Sequence, residues 1–232
     1  MLSDTDIRIE LQQKKGINID PFEEDCLTPV GYDLRVGAKG FSWKHQCIFE
    51  INDKNPLKIE PDDTLVIETY ESVQLSKQVG ATIHAMATQV IRRGLSHIST
   101  TVDPGWTGRI LISIHNYRNT TIELEFKEKF CTVCFYKMQT EAQKDVLRPP
   151  GRSDIWSELS DKARDVRNRQ STVRQNRDNR EYGIRVMLVV AFILVVSVIG
   201  IQLSLKDPAL GASLATFLAV VSPTIIDLLK PK

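Results

Sequence analysis

The sequence has almost no net charge, few cysteines and no internal repeat, and each shortage excludes a class of protein. The formal net charge is +1 over 232 residues, so no overall field favours nucleic acid as a partner. Cys131 and Cys134 form a single CxxC pair, whereas Cys26 and Cys47 are 21 residues apart. A zinc site normally needs a second pair of closely spaced cysteines or histidines, so we expect no metal site. The four cysteines are then reduced thiols of a cytosolic domain, with structural zinc or redox chemistry as the alternatives.

We expect no N-terminal signal peptide, because residues 1–4 open directly into a polar amphipathic stretch. Two long apolar runs occur near the C-terminus: residues 186–205 contain no charge over 20 positions, and residues 209–226 contain none over 18. At about 1.5 Å per residue, each run can cross a hydrocarbon layer roughly 30 Å thick, the second only just. We therefore predict a two-span transmembrane hairpin over residues 184–230, with membrane lipid as a partner.

The charges that flank the runs predict the orientation of this hairpin. Residues 152–185 contain nine Lys or Arg and six Asp or Glu, and Lys230 and Lys232 follow the second run. The turn between the runs has Lys206 as its only Lys or Arg. Because positive residues favour the cytoplasmic side, we predict a multi-pass inner-membrane protein with the soluble domain and the C-terminus in the cytoplasm.

Short strands separated by turn residues dominate the first part of the chain. Residues 64–70, 109–115 and 130–136 are rich in apolar and β-branched residues, and residues 122–126 alternate between apolar and charged. Residues 3–13 predict one short helix with Ser3 as its N-cap. The pattern favours a mainly β domain, a sandwich or barrel, over residues 1–148.

A polar, arginine-rich segment follows the β region. It covers residues 149–183 and begins with the breaking sequence Pro149-Pro150-Gly151. Leu159, Val166 and Val173 are seven residues apart, but a heptad seam needs a second apolar position that is missing here. We predict a linker or a single polar helix, with a weakly oligomerising stalk as the alternative.

Three segments of the β region stand out as motifs. They are Gly-Tyr-Asp-Leu-Arg-Val-Gly at 31–37, Ala-Thr-Gln-Val-Ile-Arg-Arg-Gly-Leu at 87–95, and Thr-Val-Asp-Pro-Gly-Trp-Thr-Gly at 101–108. In this order and spacing they resemble motifs of the dCTP deaminase and dUTPase superfamily, and residues 2–8 and 19–22 are similar to the deaminase N-terminus.

This resemblance implies a jelly-roll-like protomer in a homotrimer or higher homo-oligomer, with nucleotide sites between subunits. Asp103 matches the aspartate that contacts the deoxyribose and, in dUTPases, activates water; it is the catalytic candidate if the chain is an enzyme. Mg²⁺ would be the candidate cofactor if the chain is a diphosphatase, and the sequence indicates no other. The candidate nucleotide-binding residues are Thr88, Gln89, Arg92, Asp103, Gly105, Trp106 and Ser113.

Two positions depart from the pattern of the superfamily. Ala87 stands where the phosphate motif has an arginine, which removes a charge-assisted contact, although Thr88 and Gln89 could still donate hydrogen bonds. Ser113 stands where deaminases have the glutamate that transfers protons, and a serine is not a base near neutral pH.

These departures lead to a non-enzymatic leading hypothesis: a membrane-anchored nucleotide sensor or effector, by analogy with two-span effectors of antiviral defence. Its alternative is an active, membrane-tethered dCTP deaminase or dUTP diphosphatase. A third hypothesis is a trimeric scaffold that binds no nucleotide.

Overall fold

The computed structural model describes residues 1–97 and 99–206, and the chain divides into two units between Val166 and Arg167. The predicted second span at 209–226 lies outside the described residues, so the hairpin remains a prediction. Within the described part, the first unit is mainly β, as the sequence predicted. Its strands are β1 (Ile17–Asp20), β2 (Leu27–Thr28), β3 (Gly31–Ser42), β4 (Cys47–Glu50), β5 (Leu57–Ile59), β6 (Thr64–Leu75), β7 (Val79–Ala85), β8 (Leu95–His97), β9 (Thr100–Val102), β10 (Thr107–Asn116), β11 (Ile122–Leu124) and β12 (Lys129–Lys137).

One large antiparallel sheet carries most of these strands. Its main path runs β8-β10-β6-β3-β12-β7-β9, with β1 paired to β6 and with β2 and β4 paired to β3; a smaller sheet pairs β5 with β11. The register shifts between Val36 and Gly40 in β3 and between Arg109 and Leu111 in β10. Such bulges bend strands and increase their twist, which lets the sheet curl around its own core.

Alternation along β10 shows how the sequence places its two faces. Ile110, Ile112 and Ile114 are buried, whereas Ser113 and His115 are half-buried on the opposite face. Because successive strand residues point to opposite faces, the isoleucines belong to the core and the polar residues to the outer surface.

The first helix also follows its sequence signals. Helix α1 (Asp4–Gln13) begins after the N-cap Ser3, and the Ser3 hydroxyl accepts from the Asp6 N–H at 3.2 Å. The Asp6 carboxylate accepts in return from the Ser3 N–H at 3.0 Å, which completes a capping box. Helix α2 (Ala87–Arg93) is short and ends at Gly94, which takes a positive φ of 67°.

Helix α3 (Ser153–Lys206) contains both the polar segment and the first apolar run. A 3-10 turn, Pro150–Arg152, precedes it. The first turns of α3 pack on the β domain: Leu159 is 3% exposed, and Lys162 Nζ lies 4.9 Å from the centre of the Trp43 ring. By length and composition, one described helical stretch, Pro150–Ile199, is apolar enough to cross a membrane.

Candidate functional site

The turn between β9 and β10 presents Asp103 to solvent on a fixed backbone. Trp106 N–H donates to the Asp103 carbonyl at 3.2 Å, and Gly105 takes a φ of 84°, which a residue without a Cβ adopts at little cost. Trp106 is 8% exposed, and its indole N–H donates to the Gly108 carbonyl at 3.0 Å. Among the described residues, no side chain binds the exposed Asp103 carboxylate. This carboxylate is therefore available to a ligand.

The chain that follows β12 packs against the same turn. Ala142 N–H donates to the Lys77 carbonyl at 2.9 Å, and Lys77 Nζ pairs with Asp145 Oδ1 at 2.5 Å. A methyl group on Gly105 would lie 3.6 Å from Val146 Cγ2, which is ordinary van der Waals contact. The segment that leads to α3 thus binds the connection between β6 and β7 at Lys77 and lies beside the turn that carries Asp103.

A second contact ties this C-terminal segment to β10. A Cβ added to Gly108 would lie 2.4 Å from the Gly151 N and 2.7 Å from the Gly151 Cα, so both backbones meet where only glycine fits. Gly108 also takes a φ of 117°, outside the range that other residues favour. We call residues 142–162, from this contact region into α3, the strap.

Helix α2 carries three of the predicted nucleotide-binding residues. They differ in whether their side chains are exposed and already bound to the protein. Thr88 and Arg92 are exposed, and no described side chain pairs with the Arg92 guanidinium. Gln89 is 8% exposed, and its amide donates to the Lys129 carbonyl at 2.9 Å. Arg93 instead pairs with Glu128 at 2.8 Å. Gln89 and Arg93 therefore anchor the helix, while Thr88 and Arg92 are free to meet a ligand.

Ser113 lines a cavity of about 180 Å³ at the β8 side of the sheet. In β10 it lies opposite Val66 of β6, and the cavity also contains Ser96, His115 and Tyr117. No carboxylate lines this cavity among the described residues. The position that matches the deaminase glutamate is thus in a polar hollow without an acidic group.

The Asp103 turn and Ser113 are separated along β10. Thr107, the first residue of β10, is six positions from Ser113, which at about 3.3 Å per residue is roughly 20 Å. The start of β10, which follows the Asp103 turn, is therefore distant from Ser113 along the strand.

The outer face of β10 also holds a partly buried ion pair. Arg109 Nη1 lies 3.0 Å from Glu68 Oε1, and the side chains are 46% and 9% exposed. Burial raises the pKa of the Glu68 carboxyl, and the Arg109 cation opposes that rise.

The first motif is built into the core. Arg35 Nε pairs with Glu71 Oε1 at 2.6 Å, and the Arg35 N–H donates to Glu71 Oε2 at 2.9 Å. Asp33 accepts from the Thr132 hydroxyl at 2.6 Å. Asp33 and Arg35 are thus both internal, and each has a different partner. This motif therefore supports the fold and is not a ligand surface.

Cys26, Cys131 and Cys134 are buried free thiols, and Cys47 is exposed. Burial raises the pKa values of the Cys131, Cys134 and Cys26 thiols. Within the described ranges, no group of three or more His, Cys, Asp or Glu side chains is placed to bind a metal ion.

The sequence placed His115 on a strand beside the pocket, but it did not predict the contacts that His115 makes there. His115 Nδ1 lies 2.9 Å from the Thr64 hydroxyl, and the His115 and Tyr117 rings are 4.3 Å apart. The signal was available, because Ser113 and His115 are two positions apart in a strand and must share a face. Thr64 is distant in the sequence, and only the pairing of β6 with β10 places it opposite His115.

The comparisons with known proteins agree with this fold. A family described as dCTP deaminase-like matches residues 1–138. The dCTP deaminase of Thermococcus kodakarensis is 32% identical over 130 residues, which cover 56% of this chain and 82% of that protein. A probable deoxyuridine 5'-triphosphate nucleotidohydrolase of Sulfolobus islandicus rod-shaped virus 1 is 28% identical over 144 residues, 62% of this chain and 88% of that protein.

One solved structure with a similar chain is a deaminase. The 2'-deoxycytidine 5'-triphosphate deaminase of Agrobacterium tumefaciens has a TM-score of 0.49 and 16% identity, and the match covers 58% of this chain and 46% of that chain. The family match extends over more than half of the residues, from α1 through β12. On that match, the chain belongs to the dCTP deaminase-like family.

Proposed function

We propose that this chain is a membrane-tethered enzyme of pyrimidine deoxynucleotide metabolism, a dCTP deaminase or a dUTP diphosphatase. The observation that carries the proposal is the Asp103 turn, which holds an available carboxylate on a hydrogen-bonded backbone inside the family domain. Relatives named as dCTP deaminases and as a probable deoxyuridine triphosphate nucleotidohydrolase support the same class. The substrate would be a deoxynucleoside triphosphate with a pyrimidine base.

The separation along β10 distinguishes the two reactions. A diphosphatase would use Asp103 to accept a proton from the water that attacks the phosphate chain. Mg²⁺ would suit that reaction, since it commonly binds through the phosphates of the substrate. A deaminase would instead need a proton-transfer group near Ser113.

We further propose that subunits associate, as a homotrimer or a higher homo-oligomer, to complete the site. The Asp103 turn and the exposed residues Thr88 and Arg92 all present groups to solvent. A triphosphate carries several negative charges, so the unpaired Arg92 guanidinium fits it. Ala87 offers no such charge, which leaves Arg92 as the described cation of α2 without a protein partner.

A nucleotide sensor without turnover is the second candidate. The observation that favours it is the pair of substitutions at Ser113 and Ala87, which remove a proton-transfer group and a phosphate contact. The strap would carry the signal, because it lies beside the Asp103 turn and continues into α3. Its output would be a change in an inner-membrane hairpin formed by the apolar part of α3 and residues 209–226, with the β domain and the C-terminus in the cytoplasm.

Product analysis distinguishes the two candidates. Full-length protein in detergent is incubated with dCTP and with dUTP, each with and without Mg²⁺, and the products are separated by chromatography. The enzyme proposal predicts dUTP from dCTP, or dUMP and pyrophosphate from dUTP. Loss of the diphosphatase reaction in Asp103→Asn would assign it to this carboxylate. Binding of a nucleotide without any product would refute the enzyme proposal and favour the sensor.

A further inference from the structure

The cavity beside Ser113 contains two histidines, His97 and His115, that none of the motifs includes. His115 lies on the same face of β10 as Ser113, and the two Cα atoms are about 7 Å apart in an extended strand. Ser96 and Tyr117 line the same cavity of about 180 Å³. The distance leaves room for a water molecule between the serine hydroxyl and the imidazole.

The contacts of His115 orient its ring. Nδ1 lies 2.9 Å from Thr64 Oγ1, and the tautomer with a proton on Nδ1 donates to that hydroxyl. Nε2 then carries a free lone pair. Its nearest acidic neighbour is Asp62 Oδ1 at 3.7 Å, beyond hydrogen-bond distance, and the Asp62 side chain is 97% exposed. The side chain is 25% exposed, so the ring is held in place yet reaches solvent.

The geometry points to His115 as the proton-transfer residue of this chain, in place of the carboxylate that position 113 lacks. This inference rests on the deaminase form of the proposed function. It assigns the cavity to a pyrimidine ring that carries an amino group at C4. Ser113 then holds the water by a hydrogen bond, and Asp62 stabilises the imidazolium ion.

The step balances with water as the second reactant. The water oxygen bonds to C4 while His115 Nε2 takes one water proton. His115 returns that proton to the amino nitrogen, and the C4–N bond breaks. Ring N3 takes the electron pair of the C4–N3 double bond during the attack and returns it as the amino group leaves. The hydroxyl left on C4 then passes its proton to N3 and becomes the carbonyl of the uracil ring. The products are dUTP and ammonia, and no oxidant or reductant is needed.

Chemical rescue tests this role. His115→Ala in the full-length protein should lose roughly 100-fold or more in kcat for dCTP. Added imidazole should restore part of the rate, and substituted imidazoles of higher basicity should restore more, which a purely structural histidine would not show. His115→Asn can retain a hydrogen bond to Thr64, so it should fold and remain inactive.

Two further variants sharpen the test. His84→Ala is the matched control, because His84 is exposed on β7, pairs with Thr82 at 2.7 Å and lies outside the cavity; it should keep the wild-type rate. Ser113→Glu should restore turnover to His115→Ala by returning a carboxylate to the strand.

The outcomes separate this inference from the proposed function. No dUTP from dCTP with the wild-type protein would overturn the deaminase proposal and this role with it. Wild-type turnover that survives in His115→Asn would overturn the role of His115 alone. A folded His115→Ala that imidazole does not restore would also contradict the role.

Discussion

Replacing Glu71 by Gln should unfold the β domain at a much lower temperature. Glu71 is fully buried, and Arg35 binds it through its Nε at 2.6 Å and its backbone N–H at 2.9 Å. The amide keeps the shape of the side chain but removes its charge. Arg35 would then be a buried cation whose next carboxylate, Glu23, is 3.6 Å away and mostly exposed.

The magnitude follows from this burial. Breaking a buried ion pair by neutralising one partner costs about 3 kcal/mol or more. For a chain of this size, each kcal/mol lowers the melting temperature by about 2–4 °C, so Glu71→Gln should melt roughly 6–12 °C below the wild type. Near-UV circular dichroism of the full-length protein in detergent measures this transition through the packing of its aromatic side chains.

An exposed ion pair provides the matched control. Lys58 Nζ and Glu123 Oε1 are 3.1 Å apart, but the side chains are 61% and 57% exposed. Glu123→Gln should therefore shift the melting temperature by no more than about 2 °C. Equal melting temperatures for Glu71→Gln and Glu123→Gln would refute the reasoning that the first motif is a structural element of the core.

Three other predictions concern the strap, the thiols and pH. Gly108→Ala should detach the strap and speed hydrogen exchange of the first turns of α3, whereas Gly183→Ala, whose Cβ would meet nothing within 4 Å, should not. Alkylation should modify exposed Cys47 first and Cys131 last, because burial raises the pKa of the Cys131 thiol; mass spectrometry gives the order. Because the pKa of Glu68 is raised, the folded state holds this proton more tightly than the unfolded state does. The free energy of unfolding should therefore fall as the pH rises above 4.5, the ordinary pKa of a glutamate. Glu68→Gln should flatten this part of the plot of stability against pH.

Local patterns in the sequence were sufficient to predict several helices and strands of the fold. The N-cap Ser3 and the strands at 109–115 and 130–136 all depend on neighbours within a few residues, and the structure confirms each. The packing of Leu159 on the β domain was not foreseen. Residues 149–183 are mostly polar, and a single apolar residue in such a segment does not indicate which surface it meets.

Only part of the candidate site could be predicted from the sequence. The turn at Asp103 follows from its own residues, since Pro and Gly determine its backbone. The anchoring of Gln89 and the bond between Thr64 and His115 join residues 40 and 51 positions apart, and only the paired strands bring them together. Motif matching assigned a ligand role to Gln89, whereas its amide is bound to the protein.

Calorimetric titration of the full-length protein with dCTP and with CTP tests the central claim most directly, because the claim is that the Asp103 turn binds a pyrimidine deoxynucleotide. We expect dCTP to bind more tightly than CTP, and we expect Asp103→Asn to weaken dCTP binding while Glu123→Gln does not. Equal heats for dCTP and buffer with the folded wild-type protein would contradict the account.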